Sequence, residues 1–399
     1  MSTGRDGLRP VAERVRGMPE TVFARYARLA IASGAVNLGQ GFPDDPPAPV
    51  VLAALARAAA GGHQYAPRAG LPGLREAVAA HAARRLGRTI DAEREVHVTV
   101  GATEALYAAL QALVDPGDEV VVVEPCYDAY PHMIRLAGGV PVGVRLDVGG
   151  DGRWRLDPER LARALGSRTR AVLLNDPHNP TGLVLDADTV QAVVAAVRST
   201  AAWLIVDEVY EQLAFVPTTP IGRLLPERVL GIGSAGKTFG ITGWKIGWVV
   251  GPADAVEAVA SLRQWVSYAV ATPLQAAVAD LLAGVGRGGD VDAALVRQRR
   301  GLRARRDVLV AGLRTAGAHP THPDAGYFVH ADVSAWGHDD DRALCDALPT
   351  LAGVVAIPGN AFRLRPAAGE PTWLRFAFCR GDATVAEGAR RLARLRLPD

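Results

Sequence analysis

Ser234-Ala235-Gly236-Lys237-Thr238-Phe239-Gly240-Ile241-Thr242-Gly243-Trp244-Lys245 follows a short apolar run, Val229 to Ile232. It sets two lysines eight residues apart among glycines, a serine and two threonines. Backbone and short side chains can close tightly around an anion in such a stretch, and a lysine amine within it can hold a ligand covalently. The composition points to a covalently held, phosphate-bearing ligand.

Three chemistries compete for these residues. Gly231-Ile232-Gly233-Ser234-Ala235-Gly236 fits G-x-G-x-x-G, but the dinucleotide fingerprint opens a helix, and no capped helical run is expected after it. In a chain with 43 glycines the match counts as chance. Ser234-x-x-Lys237 fits the serine-nucleophile motif of penicillin-binding proteins, yet its Ser-Asp-Asn and Lys-Thr-Gly partners are absent from the sequence. The third chemistry is an aldehyde cofactor held as a lysine Schiff base, which needs an amine, an acid facing a pyridine nitrogen and a phosphate cup.

Acid and cup both have candidates. Trp203-Leu204-Ile205-Val206 reads as a buried strand ending in Asp207-Glu208-Val209-Tyr210, and ligand contacts gather at the carboxyl ends of strands in open α/β sheets. Val96 to Val100 reads as a strand entering Gly101-Ala102-Thr103-Glu104-Ala105-Leu106, where the free N–H groups of a helix start suit a phosphate.

Further motifs stand in a fixed order: Asn37-Leu38-Gly39-Gln40-Gly41-Phe42-Pro43-Asp44, Gln64-Tyr65, Gly117-Asp118-Glu119-Val120, Glu124-Pro125-Cys126-Tyr127-Asp128-Ala129-Tyr130, Pro177-His178-Asn179-Pro180-Thr181-Gly182 and Leu374-Arg375-Phe376. With these, the chain from about residue 20 onward resembles the class I, fold-type I aminotransferases that use pyridoxal 5'-phosphate (PLP). Within them it is most similar to the kynurenine, glutamine and methionine aminotransferase group and its bacterial relatives. The resemblance implies an α/β fold with a mostly parallel seven-stranded sheet in a large domain, and a smaller α+β domain.

Bulk properties agree with an enzyme of this kind. The 399 residues suffice for two domains with substantial cores. With 44 basic and 42 acidic residues the net charge is +2, and no dense basic run argues for nucleic acid or an anionic membrane. Cys126, Cys345 and Cys379 have neither metal-like spacing nor the number for a disulfide framework, which fits a reducing cytoplasm. No signal segment opens the chain and no apolar run approaches the roughly 18 residues of a membrane span, so a cytoplasmic protein is expected.

In order, residues 1 to about 20 are polar, arginine-rich and expected to be loosely held. They belong to an arm, 1–49, whose helical part runs from Glu20 to Ala32. Alternating apolar runs and Ala/Leu-rich helices mark a large domain at 50–290, with strands at 95–100, 119–124, 140–146, 170–174, 202–206, 229–233 and 246–251. A long arginine-rich helix at 291–316 opens the small domain, 291–399. Short strands near 326–332, 354–357 and 373–378 follow, with helices at 339–347 and 382–396.

Roles then follow from the chemistry and from the resemblance. Lys237 forms the internal aldimine and then moves the proton as base and acid; Asp207 faces the pyridine nitrogen; Tyr210 and Asn179 hydrogen-bond the phenolic oxygen. Tyr127 stacks on the ring. Gly101, Ala102, Thr103, Ser234 and Lys245 hold the phosphate, and Tyr65 reaches in from the second subunit of a homodimer. Arg375, with Asn179 and the Gly41 N–H, binds the substrate carboxylate through a planar fork that lysine cannot reproduce. Taken singly, several have bland readings: Asp207 as a helix cap, Tyr127 and Tyr210 as core residues, Gly41 and Asn-Pro-Thr-Gly as turns.

The resemblance implies a PLP aminotransferase (EC 2.6.1.-) that passes an amino group from an L-amino acid to a 2-oxo acid in two half reactions. The nearest alternative is a PLP cysteine-conjugate β-lyase, or another PLP reaction of specialised amino-acid metabolism. A cofactor-sensing DNA-binding regulator is disfavoured, because the roughly 20 polar residues before the arm's helix are too few for a helix-turn-helix. Departures from the family pattern bear on substrate. Asp44, Asp45 and Asp176 add acids that suggest a neutral or cationic substrate side chain. Segment 265–273 lacks the histidine of kynurenine-specific members, and a distal carboxylate has only Arg14, Arg16, Arg25 or Arg363 to meet it.

Overall fold

The structure, a computed structural model, describes residues 11–18, 20–365 and 369–395. The first ten residues of the loosely held opening, and the end of the helix expected to reach 396, lie outside the described residues.

An arm leads the chain. Its helix α1 (Val22–Ser33) is capped by Thr21, whose hydroxyl accepts from the Ala24 amide, and is closed by Gly34 in left-handed backbone. Strand β1 (Val36–Asn37) and an extended segment carry the chain to the large domain. There α2 (Pro49–Ala59) and α3 (Pro72–Leu86) both open on proline, whose missing N–H does no harm in a first turn. The alternating region then runs β2 (Val96–Val100), α4 (Gly101–Leu113), β3 (Glu119–Glu124), α5 (Ala129–Leu136), β4 (Val140–Val148), β5 (Trp154–Leu156), α6 (Pro158–Ala164) and β6 (Thr169–Asn175). It continues with α7 (Ala187–Arg198), β7 (Trp203–Asp207), β8 (Val229–Ser234), α8 (Ala235–Thr238), β9 (Ile246–Val250), α9 (Ala253–Arg263) and α10 (Thr272–Gly284).

These strands form one sheet in the order β2-β9-β8-β7-β6-β3-β4-β5. Neighbours from β8 to β4 pair in parallel, while β9 and β5 run against theirs. All seven expected strands are present, and β5 extends the edge as an eighth. Runs such as Val120-Val121-Val122-Val123 are buried throughout because helices cover both faces of the sheet. Each such side chain contributes about 1.5–3 kcal/mol relative to exposure.

The small domain begins with α11 (Asp290–Thr315) and continues β10 (His319–Pro320), β11 (Phe328–Asp332), α12 (Asp341–Ala352), β12 (Val354–Val355), β13 (Ile357–Pro358), β14 (Trp373–Ala377) and α13 (Asp382–Leu392). Its antiparallel sheet has the order β10-β11-β14-β13, and β12 pairs with β1, which joins the arm to this domain. The core of the small domain also takes in Leu38 of the arm and Val209, Tyr210 and Leu213 from beyond β7. Arm, small domain and the carboxyl edge of the large sheet therefore meet at one corner. Among the described residues no helix is long and apolar enough to cross a membrane.

Candidate active site

At that corner three parallel strands end in register: Asn175 of β6 pairs with Asp207 of β7, and Asp207 with Ile232 of β8. Two residues after Ile232 the chain enters α8, a single helical turn where the sequence leads one to expect none, and this turn carries Lys237. The lysine is conspicuous in a way that motifs do not express: Lys237 and Lys245 are the only two lysines of the chain, beside 42 arginines. A guanidinium stays protonated in proteins and cannot serve as an amine nucleophile or base. Lysine at these two positions alone is thus a signal carried by composition itself.

Lys237 Nζ donates to the Tyr327 hydroxyl at 2.9 Å and lies 5.8 Å from the Tyr210 ring centre and 5.6 Å from that of Tyr327. Burial lowers its pKa to about 8, with Cys379 and Asp207 pulling upward and Arg375 and Lys245 pushing further down. Asp207 is buried, accepts from the Tyr130 hydroxyl at 2.6 Å and from the Val209 amide at 3.3 Å, and is raised by burial to about 6. Asn175 fixes the strand ends by donating to the Asp207 carbonyl (2.7 Å) and accepting from the Asn179 amide (2.6 Å).

Arg375 sits on β14 with 1% of its surface exposed. Its Nη2 donates to the Gly39 carbonyl (3.0 Å), its Nη1 reaches Asn179 Oδ1 (3.5 Å), and its Nε has no partner among the described residues. Three rings enclose the guanidinium: Phe328 at 3.9 Å, Phe362 at 4.6 Å and Phe23 at 5.0 Å from their centres. Stacking of this kind favours a planar cation while leaving its edge free for a carboxylate. Gly41 lies where a side chain would begin 2.6 Å from Phe328 Cζ, so only glycine lets the arm pack there.

A second, anion-friendly side faces the start of α4. Gly101 adopts φ 72°, no side chain caps the helix, and the β9 backbone passes so close that a side chain on Gly247 would begin 2.6 Å from the Ala102 nitrogen. Lys245 packs its Cε near Gly101, and Ser234 stands at the end of β8. Thr103, on the same first turn, is exposed. The acid nearest this cup, Glu104, accepts from the Val100 amide (2.6 Å) and from Arg263 Nε (2.8 Å), and that fully buried arginine offsets its charge.

Tyr127, partly exposed, packs edge-on to Tyr130 at 5.4 Å. Tyr65 stands apart, 85% exposed, with its ring edge-on to Tyr268 at 5.7 Å. Within one chain, then, Lys237, Asp207, Tyr210, Asn179, Arg375 and Gly41 come together, with Gly101, Ala102, Ser234 and Lys245 grouped beside them, and Tyr65 does not join them. Motif reading misses Tyr130, three residues after Tyr127 on the same helical start, and Tyr327, which no local pattern marks.

The acids expected to face substrate are a correction. Asp44 accepts from the Gly381 amide (2.6 Å) and pairs with Arg380 (3.2 Å), and Asp45 pairs with Arg305 (2.6 Å). Asp176 is buried and accepts from the Leu185 amide at 3.0 Å. None of the three points a free carboxylate at substrate. The arginines considered for a distal carboxylate are engaged in part: Arg25 pairs with Asp346, Arg363 with Glu370, and Arg16 donates to the Val11 carbonyl.

The donor set fits PLP: an uncapped helix start with a serine and a lysine for a phosphate, a buried carboxylate for a ring nitrogen, and an amine of lowered pKa. Among the described residues no cluster of His, Cys, Asp or Glu could hold a metal ion.

Comparison with known proteins agrees. The family model "Aminotransferase class I and II" matches residues 33–392. The chain is 44% identical over 394 residues to the probable N-succinyldiaminopimelate aminotransferase DapC of Mycobacterium tuberculosis, covering 95% of this chain and 97% of that one. It is 39% identical over 400 residues to kynurenine–oxoglutarate transaminase 3 of Mus musculus, covering 94% and 88%. Among solved structures, the N-succinyldiaminopimelate aminotransferase of Mycobacterium tuberculosis superposes with a TM-score of 0.91 at 43% identity, over 97% of this chain and all of that one.

Proposed function

The chain belongs to the class I and II aminotransferases and is a PLP-dependent enzyme of that family, and from this premise we propose which residues do its chemistry and how. The reaction is a transfer in two half reactions, amine from an L-amino acid to the enzyme and then from the enzyme to a 2-oxo acid. The observation that carries the assignment is the convergence of both lysines of the chain with the buried Asp207 and Arg375 at one corner.

PLP, when bound, supplies an electron sink that makes the α-hydrogen of an amino acid acidic. Gly101, Ala102, Thr103, Ser234 and Lys245 would hold its phosphate, Asp207 would keep its ring nitrogen protonated, Tyr127 would lie against its ring, and Asn179 and Tyr210 would donate to its phenolic oxygen. Arg375 clamps the donor carboxylate with help from Asn179 and the Gly41 N–H. Lys237 would hold the cofactor and, as a free amine, would take the proton from the donor α-carbon and return it at the other end of the transfer. An amine whose pKa burial has lowered to about 8 is about one-tenth neutral at pH 7, several hundred times more than an ordinary lysine, as that step requires.

The donor side chain enters a groove of about 850 Å³ that runs from Phe23 and Tyr127 past Phe362 to the exposed Arg135 and Arg342. Its size and its exposed Arg135 and Arg342 accommodate donors as long as the N-succinyldiaminopimelate or kynurenine of the relatives' names. Tyr65, Trp265, Val266 and Tyr268 expose large apolar surface on one side of the molecule. We assign this face to a homodimer in which Tyr65 completes the partner's phosphate cup. Three free, buried cysteines suit a reducing compartment, and we place the enzyme in the cytoplasm.

The test is the cofactor absorbance of the purified protein before and after N-succinyldiaminopimelate, kynurenine, methionine or glutamine is added without an oxo acid. Bleaching by one donor in the native protein and none in Lys237→Ala supports the assignment and names the donor. A protein with no cofactor band after incubation with PLP would sink it. Pyruvate released from a cysteine conjugate while the band recovers would make the enzyme a β-lyase.

A further inference from the structure

Between Lys237 and the arm stands a side chain that neither the motifs nor the proposed chemistry has used. Tyr327 precedes β11 with 1% of its surface exposed, its ring edge-on to Tyr210 at 5.4 Å and to Phe328 at 4.8 Å. Its hydroxyl meets Lys237 Nζ at 2.9 Å and the Gly41 carbonyl at 2.8 Å, with the Tyr210 hydroxyl also within hydrogen-bonding reach. A carbonyl oxygen only accepts, so the one hydroxyl proton goes to Gly41. The tyrosine oxygen is left to accept an N–H of the lysine, and the lone pair of a neutral amine is not capped by this neighbour.

We propose that Tyr327 is a positioning residue: its hydroxyl, oriented by the Gly41 carbonyl, tethers the free amine of Lys237 through an N–H and keeps the lone pair open for the α-proton. The inference deepens the proposed role of Lys237 and rests on it. It also gives the arm a function beyond covering the site. The arm is seated by Gly41 on Phe328, by Asp44 on Arg380 and by Asp45 on Arg305, all in or beside the small domain. With the arm seated, the hydroxyl proton is committed to Gly41. With the arm lifted, the same hydroxyl is free to turn and donate to the amine lone pair, which disarms the base. Substrate closure and base activation become one event.

The amine's other neighbours are fixed and separable from this effect. Asp207 on β7 and Cys379 beyond β14 favour its charged form, while Arg375 on β14 and Lys245 before β9 oppose it. The Tyr210 ring lies beside it without donating to it. Replacing the hydroxyl alone leaves these in place.

The experiment uses Tyr327→Phe, which keeps the ring and its packing. Cofactor-free protein is acylated with acetic anhydride from pH 6 to 10, and Lys237 and Lys245 are read separately by peptide mass; with two lysines in the chain the readout is clean. Loss of an acceptor for the ammonium lowers the apparent pKa of Lys237 by about half a unit to one unit, while Lys245 is unmoved. An unchanged or raised Lys237 value means the hydroxyl was not accepting from the amine and overturns the proposal. In the same variant, amide hydrogen exchange across residues 39–42 is expected to rise several-fold, and kcat to fall several-fold with the donor KM within about twofold. Unaltered exchange in the arm removes the coupling and overturns it equally. Failure of the underlying assignment looks different: a cofactor band that persists in Lys237→Ala refutes the lysine's role whatever the tyrosine variant does.

Discussion

Asp207-Glu208-Val209-Tyr210-Glu211 contributes to two buried polar clusters on opposite sides of one chain segment. On one side Asp207 and Tyr210 face Lys237 and Arg375. On the other, Glu208 and Glu211 face α3, where Arg85 meets Glu208 at 3.0 Å and Glu211 at 2.6 Å, and His81 meets Glu211 at 2.6 Å. Burial pushes the Glu211 carboxyl up, but Arg85 and His81 outweigh it and hold the group down at about 2. At the active-site cluster burial wins: Asp207 rises to about 6 and Lys237 falls to about 8. Matched charges fix protonation states and hold the segment; unmatched ones leave groups near titration, where a ligand and a proton can change them. The paired cluster holds the segment from which Asp207 and Tyr210 reach the unpaired one.

The comparison breaks most decisively at Asp207. Asp207→Asn is expected to lower kcat/KM on the order of 10³-fold, because the ring nitrogen would lose the anion we assign to it, and yet to stabilise the cofactor-free protein. The folded pKa is raised above the unfolded value, so the cost of ionising the buried carboxyl appears as pH rises above about 4 and is complete above about 6. Removing it is worth about 2–3 kcal/mol at pH 8 and nothing near pH 4. Urea unfolding of the cofactor-free variant at both pH values checks this, and an equal or lower stability at pH 8 would remove the contrast. Arg85→Leu is the mirror image. Two glutamates lose their counter-charge, at a cost of about 3–5 kcal/mol, while activity per folded molecule stays within about threefold. A large loss of activity at full stability would mean the two clusters are not separable.

Much of the unpaired cluster is legible in the sequence, and the paired one is not. Asp207 can be read because an apolar strand ends in it, and Gly101-Ala102 because small residues open a helix directly after a strand. The pairing of Arg85 with Glu208 and Glu211 spans more than a hundred residues, and no periodicity encodes it. The substrate correction has the same origin: in sequence Asp45 reads as a free acid of the arm, although its partner Arg305 lies 260 residues away. Tyr327 is invisible for the same reason, standing 90 residues from the amine it touches. Strand β5 has three residues, too few for alternation to register.

Arg375 sharpens the comparison from the substrate side, since it is a buried cation to which we assign the donor carboxylate as partner. Arg375→Lys keeps the charge but loses the fork and the stack on Phe328, Phe362 and Phe23. The donor KM is expected to rise by roughly 10- to 100-fold with a smaller change in kcat. A variant with unaltered KM would place the carboxylate elsewhere.

The finest test is Tyr130→Phe, because Tyr130 gives Asp207 a smaller share of what Arg85 and His81 give Glu211. Its hydroxyl donates to Asp207 Oδ2 at 2.6 Å, a bond that favours the charged carboxylate and acts against the upward push of burial. Without it the Asp207 pKa rises from about 6 by a further half to one unit, for about 1 kcal/mol of lost stabilisation of the anion. PLP affinity measured against pH should then keep its plateau at pH 8 and lose its acidic limb earlier, moved upward by the same half to one unit. Above that limb the carboxylate is ionised with or without the tyrosine, so native and variant curves should converge. A uniform drop at every pH would show that Tyr130 shapes the pocket and does not tune the acid. A shift toward lower pH would contradict the direction of the bond itself.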